Sequence, residues 1–201
     1  DLPFAVYIQG FNGYLTTRFF TEENLWRDRT IFGLAPKDIK AVEIALPAIP
    51  GDGWMITRQH LKEDTLVEPA IDAASWSLLD GDFEPLPVAN PLELLTVVGS
   101  LETLKYEGAI VPSDNIWEKK DSIFSASPAF ELNVHTVDND ILMVRSFWKR
   151  PDREQLDAEG VPYQWDPDRF YAELPDGRMV LIQRYGWRNL LKSRWDFAEQ
   201  Q

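Results

Sequence analysis

Apolar and polar positions alternate with a period of two at both ends of the chain, which predicts a largely β protein. Phe4, Val6 and Ile8 alternate with Ala5, Tyr7 and Gln9 and read as a strand. Thr21-Glu22-Glu23-Asn24 looks like the start of a short helix, ahead of Trp26 to Phe32. A second strand is expected over 39–46, with Val42, Ile44 and Leu46 on one face. The Pro- and Gly-rich loop 47–53 then leads into a third strand, Trp54 to Arg58, as in a long-looped hairpin. A short strand centred on Trp76 follows over 75–79.

The period then changes. Leu94, Val97, Val98, Leu101 and Leu104 recur at helical spacing and predict a helix over 90–106. Asn90 suits its cap, Pro91 its first turn, Glu93 the capping-box position and Gly108 its stop. A shorter amphipathic helix is expected over 114–124. Period two then returns in Phe130, Leu132, Val134 and Thr136. Asp138-Asn139-Asp140 reads as a turn, with Ile141 to Trp148 running back from it. After a polar loop over 151–167, residues 169–174 and 178–185 form a second hairpin about Pro175-Asp176-Gly177. Runs of adjacent strands around one long helix imply an α+β fold, an antiparallel sheet with helices packed on one face.

Two segments resemble each other. Val6-Tyr7-Ile8-Gln9 matches Val180-Leu181-Ile182-Gln183, Phe11 falls opposite Tyr185, and Leu15, Arg18 and Phe19 match Leu191, Arg194 and Trp195 after a two-residue gap. A repeated module is therefore expected. Residues 1–33 would be the C-terminal strand and helix of an upstream unit, and 34–201 one complete α+β module. The second copy is preceded by a hairpin partner and the first is not. Because a lone edge strand is a poor stopping point, a half-module is expected ahead of Asp1.

Composition narrows the function. The chain of 201 residues is 44% apolar and 26% charged, as in ordinary globular proteins. It lacks Cys, which excludes a disulfide framework, thiolate catalysis and a Cys-based zinc site. No apolar run approaches the ~20 residues of a membrane span. Its first residues are not a leader, so any signal or anchor in the gene would have been removed. A net charge of −13 opposes nucleic acid, or an anionic membrane, as the main partner. The charge is uneven. No Lys, Arg or His lies between Lys62 and Lys105, whereas Arg178, Arg184, Arg188, Lys192 and Arg194 lie among Tyr185, Trp187 and Trp195. Either these are two solvated faces of opposite sign, or an acidic face docks a basic one on a neighbouring module.

The opening Leu2-Pro3-Phe4, Gly10-Phe11-x-Gly13-Tyr14-Leu15-Thr16 and Trp26-Arg27-Asp28-Arg29-Thr30-Ile31-Phe32 form one set of motifs. Asp38-Ile39-Lys40-x-Val42-Glu43-Ile44, Ser127-Pro128 and Asp166-Pro167-Asp168-Arg169-Phe170-Tyr171-Ala172 continue it. Together they resemble the Bacteroidetes-type branch of domain-of-unknown-function family 4340. The resemblance spans most of the chain and is weakest over 60–90. It implies a periplasmic or cell-envelope domain, held to a membrane only through an anchor outside this chain. It also implies an envelope or ABC-transporter protein, or a neighbouring module, as partner. It carries no catalytic residue with it.

Candidate chemistry is sparse. His60 and His135 are the only histidines, too few for a zinc site, and His135 falls on the polar face of its strand. No HExxH motif, phosphate loop or nucleophile elbow occurs. Asp80-Gly81-Asp82-Phe83-Glu84 alternates carboxylates as a calcium loop does. It has Pro85 where Gly is needed and Pro91 at position twelve, so a turn is the better reading. No cofactor, metal or catalytic site is expected, and the chain is read as a non-enzymatic interaction domain. Among the eight Trp, 54, 76, 117 and 148 suit a core. Trp165, Tyr185, Trp187, Arg188 and Trp195 are the candidate interface. Coplanar, exposed Trp or Tyr rings would instead suit a carbohydrate-binding module, a reading that fails if Trp165, Trp187 and Trp195 are all buried. Two acids facing each other in a cleft would suit a carboxylate-dependent hydrolase.

Overall fold

A computed structural model of the chain describes residues 26–49, 51–59 and 73–197. The strand expected over Phe4–Ile8, the helix start at Thr21, the first copy of the repeat and His60 all lie outside the described residues. The described part is a mostly antiparallel, sheet-rich fold. Its strands are β1 (Ile39–Ala45), β2 (Trp54–Arg58), β3 (Trp76–Asp80), β4 (Pro85–Leu86), β5 (Gly108–Ala109), β6 (Phe130–Thr136), β7 (Ile141–Trp148), β8 (Arg169–Glu173) and β9 (Met179–Gln183). They join in one sheet in the order β4-β3-β2-β1-β6-β7-β8-β9-β5. Two meanders, β1 to β4 and β6 to β9, meet where β1 pairs antiparallel with β6, Ile44 opposite Leu132 and Val42 opposite Val134.

Alternation fixes which side chains form the core. Val42, Ile44, Ile56, Leu132, Val134, Val144, Phe170 and Ile182 point to one face and are buried. Against that face packs α1 (Leu92–Thr103), through Leu94, Val97, Val98 and Leu101. The stripe that predicts the helix is the stripe that it buries, at roughly 1.5–3 kcal/mol for each large aliphatic. The short α2 (Lys120–Phe124) lies against the opposite face, where Phe124 stacks on Phe147 at 5.5 Å. Helices therefore meet both faces, not one, because Phe147 is one residue out of phase with Val144 and Ser146 on β7.

The ends of α1 depart from expectation for tertiary reasons. Asn90 does cap it, its Oδ1 accepting from the Leu92 N–H at 3.2 Å. Glu93 does not complete a capping box. Its carboxylate accepts instead from the Lys192 ammonium at 2.8 Å. The helix stops at Thr103 rather than at Gly108, and Leu104 is extended. The next backbone groups are taken by the segment before β1. The Ile31 N–H donates to the Leu104 carbonyl at 2.9 Å, and the Tyr106 N–H to that of Arg29 at 3.1 Å. Gly108 lies instead in β5, opposite Leu181. The expected unit boundary at residue 33 thus falls in a stretch whose Thr30 bridges Lys105 of the body.

Turns follow their chemistry. Asn139 takes φ 67 between β6 and β7, and Gly177 takes φ 78 between β8 and β9. In the Asp80–Glu84 stretch, Asp80 Oδ1 accepts from the Asp82 and Glu84 N–H groups at 2.9 and 3.0 Å. Phe83 supplies the positive φ of 64 that closes this β3–β4 hairpin.

Candidate functional site

The C-terminal segment 184–197 leaves β9 and folds back over the core face, where it sorts its aromatic and cationic residues. Trp187 is buried, packs 5.8 Å from Phe130, and donates its indole N–H to the Lys105 carbonyl at 3.3 Å. It belongs to the core and is not available to a partner, so its place in the candidate interface is corrected. A residue four beyond a strand end, followed by Leu190 and Leu191, is drawn inward by the turn that starts at Gln183. Phe197 is likewise buried and meets Trp54 edge-on at 5.4 Å. Trp54 donates its indole N–H to the Lys192 carbonyl at 2.8 Å.

Between these anchors the other aromatics face solvent. Tyr185 is 76% exposed and Trp195 64%. Each carries an arginine on its ring: Arg188 lies 4.5 Å from the Tyr185 centroid and Arg194 4.6 Å from that of Trp195. A guanidinium over an exposed ring holds both side chains in place for about 0.5–1 kcal/mol. The result is a rim of large, partly ordered aromatic surface on a segment pinned by buried anchors. Trp165 is half-buried and stacks at 5.9 Å on Trp148, which is 39% exposed. Trp148 is thus a surface pair with Trp165 rather than core. Trp117 is half-buried under the Lys120 ammonium, 4.9 Å from its centroid. Of the three indoles weighed for a sugar platform, Trp187 is buried, Trp165 half-buried and Trp195 exposed.

The basic segment also meets the acidic stretch of its own chain. Lys192 pairs with Glu93, and Arg194 lies 3.9 Å from Asp52 and 4.0 Å from Asp80. Charges that could have docked a neighbouring module in part close the β1–β2 loop and α1 onto the C-terminus.

Two charged clusters outside this segment are structural. Lys149 and Asp166 are both buried and joined at 3.1 Å. The Lys149 ammonium also donates to Asp152 at 2.8 Å and to the Arg150 carbonyl at 3.1 Å. Asp166 Oδ1 accepts from the Asp168 and Arg169 N–H groups at 3.0 and 3.1 Å. Burial works against the ammonium, but its hydrogen bonds to Asp152 and Asp166 outweigh that and hold its pKa above the usual 10.5. The run Asp166 to Ala172, one of the family-like motifs, thus begins with a clamp across the ends of β7 and β8. Nothing in the sequence marks Lys149, since a lysine after a strand carries no signal of burial. Glu107 and Arg169 form a two-pronged pair at 2.7 and 3.0 Å, and these bonds lower the Glu107 pKa.

Among the described residues, no group of three His, Asp or Glu could hold a metal ion. Glu43 and Asp80 line one pocket of about 210 Å3, yet both are engaged. Asp80 holds its own turn, while Glu43 accepts from Asn133 at 3.2 Å and lies 3.8 Å from His135 Nε2. Among the described residues, no helix is long and apolar enough to cross a membrane. No family model, no curated protein and no solved structure matches this chain.

Proposed function

We propose that the chain is a non-enzymatic protein-interaction domain that docks its partner on the C-terminal rim of Tyr185, Arg188 and Trp195, with Trp165 beside Trp148 as further contact surface. The observation that carries this reading is the pairing of exposed rings with arginines on a segment anchored by Trp187 and Phe197. Large aromatic and arginine side chains held in place before contact are the groups that dominate protein interfaces. The carboxylates nearest the pockets are tied to turns, backbone amides or cations, which argues against their use as acid and base. In this reading the partner is an envelope or transporter protein and the domain is extracytoplasmic, anchored through a segment outside this chain. That part rests on the motif likeness to domain-of-unknown-function family 4340. A repeated-module organisation, with residues 1–33 ending an upstream unit, belongs to the same proposal.

The test is a quantitative pull-down from the native envelope with the wild-type domain and the Tyr185→Ala/Trp195→Ala variant. The wild type should retain one or a few proteins that the variant loses while keeping the wild-type circular dichroism spectrum. Recovery of the same proteins at the same level by both would refute the assignment of the surface. Turnover in a broad hydrolase screen would refute the non-enzymatic reading.

A further inference from the structure

A second feature lies at one end of the core face, where β1 and β7 end and β6 and β8 begin. There a pocket of about 250 Å3 opens between the β1–β2 loop and the segment after β9. Ile44, Phe130, Phe170 and Trp148 line it from the sheet, with Leu46 and Leu191 from the two covering segments. Its aromatic wall is built by ring contacts. Phe130 meets Phe170 edge-on at 5.5 Å, and Trp148 meets Phe170 at 5.4 Å. Ile49 at the pocket is 57% exposed and Trp148 39%, so apolar surface is left facing solvent here.

Among the described residues three charged ones line the pocket, and two of them are balanced. Lys192 is paired with Glu93. Asp52 accepts from the Ser193 hydroxyl at 3.3 Å and lies beside Arg194. The third, Arg184, is exposed, and its guanidinium has no hydrogen bond or ion pair among the described residues. Its backbone is fixed, because its N–H donates to the Asp168 carbonyl at 2.8 Å. An apolar, aromatic-walled pocket lined by Arg184, whose guanidinium is uncompensated among the described residues, is complementary to an apolar body ending in a carboxylate. Arginine offers such a group two parallel donors. The volume falls below the ~300 Å3 at which drug-sized sites begin, so the apolar body is about one large side chain in size.

We propose that this pocket binds a short aliphatic or aryl carboxylate, its apolar end against Phe130, Phe170 and Trp148 and its carboxylate on Arg184. This site uses none of Tyr185, Arg188 or Trp195; it shares only Trp148 with the further contact surface, so ligand binding is read apart from docking on the rim.

The experiment is a 1H–15N NMR titration of the whole chain with 4-phenylbutyrate and, separately, with its neutral amide. The acid should bind saturably and shift the Trp148 indole and the amides of Ala129 and Phe130. The amide should bind about tenfold more weakly, the loss of one charge-assisted contact. Arg184→Gln should bring the acid down to the level of the amide, and Arg184→Lys should restore part of the difference. Ala48→Trp, at the exposed mouth, should abolish both. The proposal is overturned if neither ligand saturates, if acid and amide bind equally, if Arg184→Gln keeps the preference, or if the shifts map away from the pocket.

Discussion

Replacing Lys149 with Ala should be among the most damaging single changes in this chain. The side chain is 4% exposed and its partner Asp166 1%. Asp166 Oδ1 keeps its two backbone donors when the lysine is removed. Oδ2, whose hydrogen bond comes from Lys149 at 3.1 Å, is left buried and unpaired. Breaking a buried pair from one side costs about 3–5 kcal/mol, and the surviving amide bonds place this case near the lower end, about 3 kcal/mol. Asp166→Ala should cost less on the charge side, because the ammonium retains Asp152 and the Arg150 carbonyl. It also strips the Asp168 and Arg169 amides, each at about 1 kcal/mol. Asp152 is 81% exposed, so Asp152→Ala should cost under about 1 kcal/mol. Urea unfolding followed by circular dichroism and tryptophan fluorescence gives the three values, provided the m-values agree. The folded-state pKa of Lys149 is raised, so its contribution is fully present below its ordinary value of 10.5. It is lost only as pH rises through the folded value. The penalty of Lys149→Ala should therefore be flat from neutral pH to about one unit below 10.5. A cost below about 1 kcal/mol, or an equal cost for Asp152→Ala, would refute the clamp.

Three further outcomes follow from the same geometry. Trp187→Ala should cost about 3–5 kcal/mol in urea, whereas Trp195→Ala should stay within about 1 kcal/mol, the worth of its ring contact with Arg194, since only the first empties a core site. Gly53→Ala should destabilise by about 1–3 kcal/mol, read as a lower thermal midpoint, because a Cβ there would lie 2.8 Å from the Ile44 carbonyl oxygen across the hairpin. The Glu107 carboxyl is held below its ordinary 4.5 by Arg169, so its contribution is present above that value and lost as pH falls through the lower folded value. Glu107→Gln should accordingly flatten the acid limb of stability, and an unchanged acid limb would count against the pair.

How much was legible depended on the range of the interaction. β2, β6 and β7 occupy the residues their alternation predicts, and the Asp138–Asp140 and Pro175–Gly177 turns fall where their chemistry puts them. Those signals are local: a period of two, or a residue tolerant of positive φ. The two-residue strands β4 and β5 carried no such signal, because they exist only as partners of β3 and β9. Of the candidate interface, Tyr185, Arg188 and Trp195 are exposed, Trp165 is half-buried and Trp187 is core. A run of aromatics among arginines reads alike whether a ring turns in or out.

The amino-acid sequence by itself determined the antiparallel, strand-rich character, the helix at α1 and the turns, because each follows from spacing and backbone preference within a few residues. Tertiary structure decided where α1 stops, since the Arg29–Ile31 backbone takes its next hydrogen bonds. It decided that Glu93 meets Lys192 rather than its own cap, a contact between residues 99 positions apart. It also decided that Lys149 and Asp166 are buried together and that Arg184, beside an apolar pocket, has no side-chain partner among the described residues. Burial and charge balance are properties of what surrounds a side chain, and those surroundings come from distant parts of the chain.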